Sequence, residues 1–358
     1  MKKHYNFTKW LSPRFTGLLV SAGLLIAGGS AMAQLSGSSY TINSGAAASS
    51  TNFTSFSSFA DSLNTLGVSG AVTVNVVSGS GPYSEKVSFN QISGASATNT
   101  ITINGNGETI VNTASSATIT LKGTDYMTVK GLKVEAAGTG TGVRCFHIYS
   151  GANYNTVDGC ELIVSAYTGT SNSTGYIVMS ASTTGNSAAA HGSHNTYKNN
   201  KMWNGGASSS VGPYYGVCEY GSSAYTSTTG NNQVLNNDMQ NVYYYWNYFY
   251  YTNGTRIDGN KFHNGRSGAT YAYVVYLYRT ETTTHQISFS GNEVYNLSPS
   301  SYLYMYGYYN SGTSSMPVMY NDNKIHDNTV GSYLYNYLGY YGTEIRFERN
   351  KIYNNSSR

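Results

Sequence analysis

The stretch "TRIDGNKFHN" at residues 255–264 recurs three more times, as "ISFSGNEVYN" (287–296), "MYNDNKIHDN" (319–328) and "RFERNKIYNN" (346–355). In each copy an apolar or aromatic residue stands three positions before a shared asparagine, and another apolar residue stands two positions after it. Short alternating runs interrupted by turn-forming residues are typical of β-strands. Each copy therefore predicts two short strands joined at a corner.

The same pattern extends upstream when the copies are aligned on the asparagine. The aligned positions are Leu132, Cys160, Asn200, Asn237, Asn260, Asn292, Asn323 and Asn350. Their spacing varies from 23 to 40 residues, which excludes a helical array of fixed period. A short repeated unit with loops of variable length instead predicts a β-solenoid, in which insertions loop out between strands without disturbing the stack.

The predicted corners have a backbone preference of their own. The residue before the aligned position is Gly, Asn or Asp in every copy except the last, where it is Arg349. These residue types tolerate a left-handed backbone. Because stacked strands lie ~4.8 Å apart, asparagines at one corner can hydrogen-bond up and down the stack as an amide ladder. The predicted ladder is Asn200, Asn237, Asn260, Asn292, Asn323 and Asn350.

Two further columns support this alignment. A second ladder is predicted four positions later, at Asn204, Asn241, Asn264, Asn296, Asp327 and Asn354. One position after the first ladder, charges alternate in sign up to Lys324, along Lys133, Glu161, Lys201, Asp238, Lys261, Glu293, Lys324 and Lys351. Alternation of charge is expected where side chains face each other on stacked strands.

The repeat, best seen in "IDGNKFHN" and "FERNKIYNN", resembles the right-handed parallel β-helix of the pectate-lyase-like superfamily. Residues 52–107 also resemble the opening of secreted β-helix proteins common in Bacteroidetes. The resemblance implies an all-β, right-handed parallel β-helix. It implies no particular activity, because the superfamily holds lyases, hydrolases, esterases and non-enzymatic surface proteins. Members of that bacterial group often end in a sorting domain, which this sequence lacks, so the sequence is interpreted as a possible piece of a longer protein.

The N-terminus has the features of a secretory signal peptide. Lys2, Lys3, Lys9 and Arg14 flank or precede a short apolar run, and small residues at Ala31 and Ala33 predict cleavage after Ala33. We therefore divide the chain into a signal peptide (1–33), an N-terminal segment with a capping helix (34–67) and a parallel β-helix (68–358). The helix is predicted from apolar residues at helical spacing before Gly67.

Charge and cysteine content exclude several classes of protein. The whole chain has 20 Lys+Arg and 16 Asp+Glu, and removal of the four basic residues of the signal peptide leaves the two signs equal. A basic nucleic-acid surface is therefore not supported, and no membrane span is expected in the mature chain. Three cysteines, Cys145, Cys160 and Cys218, match no zinc pattern and are interpreted as small core residues with free thiols.

Tyrosine-rich strands follow the ladder in each repeat, including "VYYYWNYFYY" (242–251), "YAYVVYLY" (271–278), "YLYMYGYY" (302–309) and "YLYNYLGYY" (333–341). A period of two places the aliphatic residues inside and the tyrosines outside, whereas the orientation of 242–251 stays open. Two interpretations remain: stacked tyrosines that stabilise the strands, or a contact surface for sugars. The candidate binding residues are Tyr271, Tyr273, Tyr302, Tyr304, Tyr306, Tyr333, Tyr335 and Tyr337.

No catalytic signature is recognised. Polysaccharide-cleaving enzymes need clustered carboxylates, but those of this chain are separated by lysines or other residues along their columns. His263 and His326 share one column, which is interpreted as packing. We expect no catalytic residues, metal or cofactor.

The sequence therefore favours a secreted or cell-surface, non-catalytic, adhesin-like protein that binds polysaccharide or another cell-surface component through its tyrosines. The alternative is a carbohydrate-active enzyme, either a polysaccharide lyase or a glycoside hydrolase, with a diverged active site.

Overall fold

The computed structural model describes residues 33–184, 187, 192–223, 230–279, 285–309, 316–336, 338–340 and 344–357. The predicted signal peptide lies outside this set except for its last residue. Three long parallel sheets contain nearly all the strands, and neighbours in each sheet come from successive repeats. This strand pairing confirms the predicted parallel β-helix.

The first sheet carries the strand that precedes each ladder position. In stacking order its strands are Asn52–Phe53, Leu35–Ile42, Val68–Val76, Ile101–Asn104, Met127–Lys130, Thr156–Asp158, Thr196–Lys198, Gly230–Leu235, Asn253–Asp258, Ile287–Ser290, Val318–Asn321 and Ile345–Glu348.

The second sheet carries the strand that follows each ladder position. Its strands are Tyr83–Ser84, Thr109–Asn112, Lys133–Ala136, Glu161–Val164, Lys201–Trp203, Asp238–Gln240, Lys261–His263, Glu293–Tyr295, Lys324–His326 and Lys351–Tyr353.

The third sheet carries the tyrosine-rich strands. Its strands are Val87–Phe89, Ala117–Lys122, Arg144–Tyr149, Gly175–Met179, Tyr215–Tyr220, Tyr245–Tyr250, Tyr271–Tyr278, Tyr302–Tyr304 and Tyr333–Tyr335, with Gly307–Tyr309 and Leu338–Tyr340 continuing the last rungs. A further pair, Thr329–Val330 and Ser356–Ser357, lies after the second sheet.

The helix Phe56–Leu66 is confirmed near the N-terminus. Ser55 caps it through a reciprocal bond with Ser58, and Gly67 ends it with φ of 70°. Phe59 is fully buried and its ring lies 6.3 Å from that of Phe89, in the third sheet. The helix therefore covers apolar side chains at the start of the stack.

The six predicted asparagines stack at the corner between the first and second sheets. At each step the Oδ1 atom of one asparagine accepts the backbone N–H and the Nδ2 group of the asparagine before it, at 2.9–3.1 Å. The Nδ2 group also donates to a carbonyl of the preceding rung, as from Asn260 to Val234 at 2.8 Å. The amides thus form hydrogen bonds with buried backbone groups at the corner, which strand pairing leaves without a partner.

The residue before each ladder position has a left-handed backbone in every repeat, as predicted. The positions are Gly131, Gly159, Asn199, Asn236, Gly259, Gly291, Asp322 and Arg349, with φ between 54° and 70°. Arg349 adopts it although it is neither glycine nor asparagine, and its guanidinium donates two hydrogen bonds to Asp322 on the rung before. The Arg349–Asp322 pair therefore stabilises the corner at which the left-handed backbone is least favourable for the residue present.

The predicted second ladder is wrong by one residue. Asn241, Asn264, Asn296, Asp327 and Asn354 have φ between 51° and 58°, so their column forms a second left-handed corner rather than an amide ladder. Asn204 instead bonds its own loop. The amide contacts occur one position later, where Leu297 donates to Asn328 and Asn328 to Asn355.

Another amide ladder was not predicted. Asn155, Asn195 and Asn232 form it at the start of the first-sheet strands, with Nδ2-to-Oδ1 distances of 3.1 Å. Its members precede threonine, threonine and glutamine, so no asparagine motif marks it in the sequence.

Apolar columns on both sides of the main ladder fill the interior. Residues three before and two after the ladder are buried from Val129 to Ile325, whereas Phe347 and Ile352 of the last rung are 47% and 48% exposed. The charged row is in register from Lys133 to Lys351, and outside the core. The two apolar columns and the charged row of the repeat therefore align in space.

Replacement of Asn260 by Ala should test the ladder. The change leaves the Asn237 N–H, the Val234 carbonyl and part of the Asn292 amide without their partner, and each buried unpaired group costs about 1–3 kcal/mol. We expect the free energy of unfolding in urea to fall by about 2–5 kcal/mol. The neighbouring exposed change Lys261→Ala should cost less than about 1 kcal/mol. Equal losses in the two variants would show that the amides do not hold the corner.

Candidate functional site: a tyrosine face on the third sheet

The outer surface of the third sheet carries a two-dimensional array of tyrosines, which we call the tyrosine face. Its members belong to five successive rungs and contact one another ring to ring. They are Tyr214, Tyr215, Tyr220, Tyr244, Tyr245, Tyr248, Tyr250, Tyr271, Tyr273, Tyr276, Tyr278, Tyr302, Tyr304, Tyr333 and Tyr335. Most are half-buried, and Tyr333 is 59% exposed.

The strands of this sheet do not alternate strictly between inside and outside. In Tyr245–Tyr250 two consecutive residues, Trp246 and Asn247, are fully buried, while Tyr245, Tyr248 and Tyr250 face outward. Val274 and Val275 occupy the matching buried positions of the next rung. Outward positions therefore recur at i, i+3 and i+5, which settles the orientation that the sequence left open.

A glycine on the rung before Trp246 allows a close approach of the Trp246 backbone and of the Met239 side chain. A Cβ atom on Gly216 would lie 2.2 Å from Met239 Sδ and 2.4 Å from the Trp246 carbonyl oxygen. Both distances are too short for real atoms, so no larger residue fits at Gly216. The glycine therefore lets the two successive strands and the Met239 side chain pack closely at this point.

Ring faces within the tyrosine face cover one another along the stack. Tyr273 and Tyr304 have centroids 4.3 Å apart with planes 6° from parallel, and Tyr304 and Tyr335 are 4.9 Å apart at 6°. The Tyr250–Tyr278 pair is similar, at 5.0 Å and 7°. The surface therefore presents ring edges and hydroxyl groups more than ring faces.

Burial keeps these phenols protonated. Desolvation raises the pKa of Tyr244, Tyr245 and Tyr248 above its ordinary value of 10. Neighbouring phenols raise it further, and for Tyr248 so does the Cys218 thiol. The pKa values of Tyr273 and Tyr304 are raised for the same first reason. At neutral pH every one of these hydroxyls can donate a hydrogen bond.

The tyrosine face ends where a loop covers the sheet on the N-terminal side. Arg144 and His147 occupy outward positions there but are buried, and Arg144 donates to the carbonyls of Ser173 and Ser182 at 2.8 and 2.9 Å. Burial and then the nearby arginine lower the pKa of His147 to about 4, so its ring is neutral at physiological pH.

Six of the eight predicted binding residues lie on the tyrosine face: Tyr271, Tyr273, Tyr302, Tyr304, Tyr333 and Tyr335. The expectation that Tyr306 faces outward is wrong, because its side chain is fully buried. Tyr306 aligns with Val275, the second of the two consecutive inward positions, and its ring packs against Phe289 and Tyr320. Tyr337 lies outside the described residues.

Sequence reasoning missed nine of the fifteen members of the tyrosine face. The signal was present as the spacing Tyr-x-x-Tyr-x-Tyr, in "YWNYFY" (245–250) and "YVVYLY" (273–278), with Cys218 replacing the middle tyrosine in "YGVCEY" (215–220). A strict period of two cannot recognise this spacing.

A second aromatic stack lies on the second sheet. His263, Tyr295, His326 and Tyr353 follow one another with centroids 4.6, 5.4 and 4.9 Å apart. Carboxylates contact both imidazoles, from Asp238 to His263 at 2.9 Å and from Glu293 and Asp327 to His326 at 3.3 and 2.7 Å. Among the described residues, no group of three or more His, Cys, Asp or Glu side chains could hold a metal ion.

The three cysteines are free and buried. Cys145 and Cys160 lie in the core, and burial raises the pKa of the Cys160 thiol to about 12. Cys218 is fully buried as well, in a second and smaller hydrophobic cluster with Val178 and Tyr215 that packs against rings of the tyrosine face. In the described part of the chain, no helix is long and apolar enough to cross a membrane.

No model of a known protein family matches this chain, and no curated protein matches it. Among solved structures it is similar to the GH136 lacto-N-biosidase from Eubacterium ramulus, with TM-score 0.49 and 10% identity over 88% of this chain and 67% of that chain. It is also similar to PfbA, a surface adhesin of Streptococcus pneumoniae, with TM-score 0.44 and 14% identity over 82% and 79%. It is similar as well to the polygalacturonase from Erwinia carotovora, with TM-score 0.40 and 10% identity over 89% of this chain and 97% of that chain.

At these TM-scores and identities the similarities carry no argument about function. The class of the protein rests on its own strand pairing: it is a parallel β-helix with an aromatic outer face on one sheet.

Alkaline pH should destabilise the protein. The unfolded chain ionises its tyrosines near pH 10, whereas the folded chain holds the protons of the tyrosine face to higher pH. The stability from these groups is therefore complete below about pH 10 and is lost as the pH rises above it. The urea midpoint should fall steeply from there, and phenolate absorbance should appear together with unfolding. Ionisation of all tyrosines in one step near pH 10, with the fold intact, would contradict this prediction.

Proposed function

We propose that this chain is a secreted or cell-surface, non-catalytic β-helix protein, adhesin-like in character, whose tyrosine face binds polysaccharide or another surface. The observation that carries the proposal is the array of fifteen tyrosines, most of them half-buried, over five rungs of one sheet. Large exposed patches with aromatic character usually mark binding sites.

The interior of the β-helix does not need this array. The core beneath it is complete without the outer rings, because Trp246, Phe249, Val275 and Leu277 fill the inward positions. Aromatic stacks by themselves can be structural, as in the single columns His263–Tyr353 and Tyr126–Tyr154–His194. The tyrosine face differs from those columns because several stacks lie side by side and form a surface.

A non-catalytic role is supported by what the carboxylates contact. Asp258 accepts from Arg256 and from the Ser288 hydroxyl, and Asp322 accepts two bonds from Arg349. Asp238, Glu293 and Asp327 contact the stacked histidines. The contacts from Asp258 to Ser288, from Asp322 to Arg349, from Asp238 to His263 and from Glu293 to His326 join one rung to the next and favour a role in holding the stack.

Export is proposed from the sequence alone, through the signal peptide of residues 1–33. The composition agrees with an extracellular β protein, since only 10% of residues are charged and 40 are glycine.

Replacement of both Tyr304 and Tyr335 by Ser should weaken binding with little effect on the fold. The two rings lie on the outer surface, so their removal opens no core cavity, and we expect a change of about 0.5–1 kcal/mol per residue in stability. A lost contact at a binding site costs about 1–3 kcal/mol, or roughly tenfold or more in affinity. The measurement is a pull-down on insoluble polysaccharides and whole cells, with a thermal melt beside it.

The matched control is the double change Tyr295→Ser and Tyr353→Ser. These tyrosines are also stacked and partly exposed, but they lie on the second sheet. The control should keep full binding. If the Tyr304/Tyr335 variant melts far below the wild type and binds as well, the tyrosine face is structural. Release of reducing ends or unsaturated products from the same polysaccharides would contradict the non-catalytic part of the proposal.

A further inference from the structure

The tyrosine face offers hydrogen bonds rather than flat rings. A ring stacked on both sides at 4.3–4.9 Å, as Tyr304 is between Tyr273 and Tyr335, has no free face for a sugar ring to lie against. Its hydroxyl stays at the outer edge. Tyr245, Tyr273, Tyr304 and Tyr335 are in register on successive strands, so their hydroxyls form a row along the stack.

The rows have a direction. Along the stack, hydroxyls repeat with the strand spacing of ~4.8 Å, whereas along a strand they follow the uneven spacing i, i+3, i+5. A regular polymer can therefore match the surface along the stack. Tyr215 is buried, so the accessible row runs from Tyr245 to Tyr335 and spans three steps, or about 14 Å.

The face is also uncharged. On the rungs from Tyr215 to Tyr335 the outward columns contain tyrosine, Cys218, Gly307 and Leu338 but no Lys, Arg, His, Asp or Glu among the described residues. Glu219 points into the core, and Arg279 lies at the rim with its guanidinium 5.5 Å from the ring centroids of Tyr251 and Tyr278. A carboxylate placed at the centre would lose its hydration without gaining a cation.

We propose that the ligand of the tyrosine face is a neutral, hydroxyl-rich polymer that lies along the stack and is recognised by the tyrosine hydroxyls. This inference rests on the proposed binding function and narrows it. Neutral glycans fit the surface, because each of their hydroxyls can both donate and accept a hydrogen bond. Polyuronates do not fit it, because their carboxylates would meet no cation there.

The deciding variant replaces Tyr273, Tyr304 and Tyr335 by Phe. All three rings keep their stack, so the melting temperature should stay close to that of the wild type, while the row loses three hydroxyls. We expect retention on a neutral polymer to weaken at least tenfold, with microcrystalline cellulose, chitin and insoluble mannan as probes. The control Tyr295→Phe with Tyr353→Phe removes two hydroxyls from the second-sheet stack and should bind normally.

Two further measurements test the absence of charge. Binding should be unchanged when NaCl rises from about 0.05 to about 0.5 M, because screening acts only on charged contacts. Polygalacturonate and alginate should not compete.

The outcomes separate this inference from the function beneath it. If the Phe variant binds like the wild type while the Tyr304/Tyr335 Ser variant does not, the face binds through its rings, and recognition by hydroxyls is wrong. Binding that is limited to acidic polymers and abolished by salt overturns the neutral ligand. Failure to bind any neutral polymer overturns it as well. If the Ser variant still binds, the proposed function itself fails.

Discussion

The amide ladder at the corner between the first and second sheets is the interaction on which the rest of this structure depends. Each rung turns there through a left-handed residue, which removes the backbone from sheet pairing and leaves buried N–H and C=O groups. An asparagine amide has one oxygen that can accept two hydrogen bonds and one NH₂ group that can donate two, enough to serve the rung before and the rung after. A buried N–H or C=O group without a partner costs about 1–3 kcal/mol of stability. A slip in register would leave several such groups unpaired at once, so the ladder fixes the register.

Everything outside the corner inherits this register. In the charged row this register places Lys261 between Asp238 and Glu293, so that opposite charges face each other. The tyrosines stack nearly parallel for the same reason: the corner sets one rung above another, and the rings follow at the spacing of the strands. The aromatic surface is thus a product of backbone hydrogen bonding elsewhere in the rung, and needs no special attraction between the rings to form.

The sequence was sufficient for the repeat, the corner and the core columns, because glycine, asparagine and aliphatic residues there have one physical reason each. It was insufficient where two requirements compete. The second ladder was displaced by one residue because Asn296 and Asn354 serve as left-handed corner residues, a role that asparagine fills as readily as pairing. Tyr306 was assigned outward because period two ignores the paired inward positions, which are Trp246 with Asn247 and Val274 with Val275 on the rungs before it. These pairs show only when several rungs are compared, and no single strand reveals them.

The parallel pairing has a mechanical side as well. Hydrogen bonds in all three sheets run along the stack, so a force applied to the C-terminal end of the chain acts on the bonds of one rung before it reaches the next. Each detached rung releases the length between successive ladder positions, from 23 residues between Asn237 and Asn260 to 40 between Cys160 and Asn200. Under load the molecule therefore unspools in discrete steps of unequal length, and the rungs that have not yet opened keep their tyrosines in place.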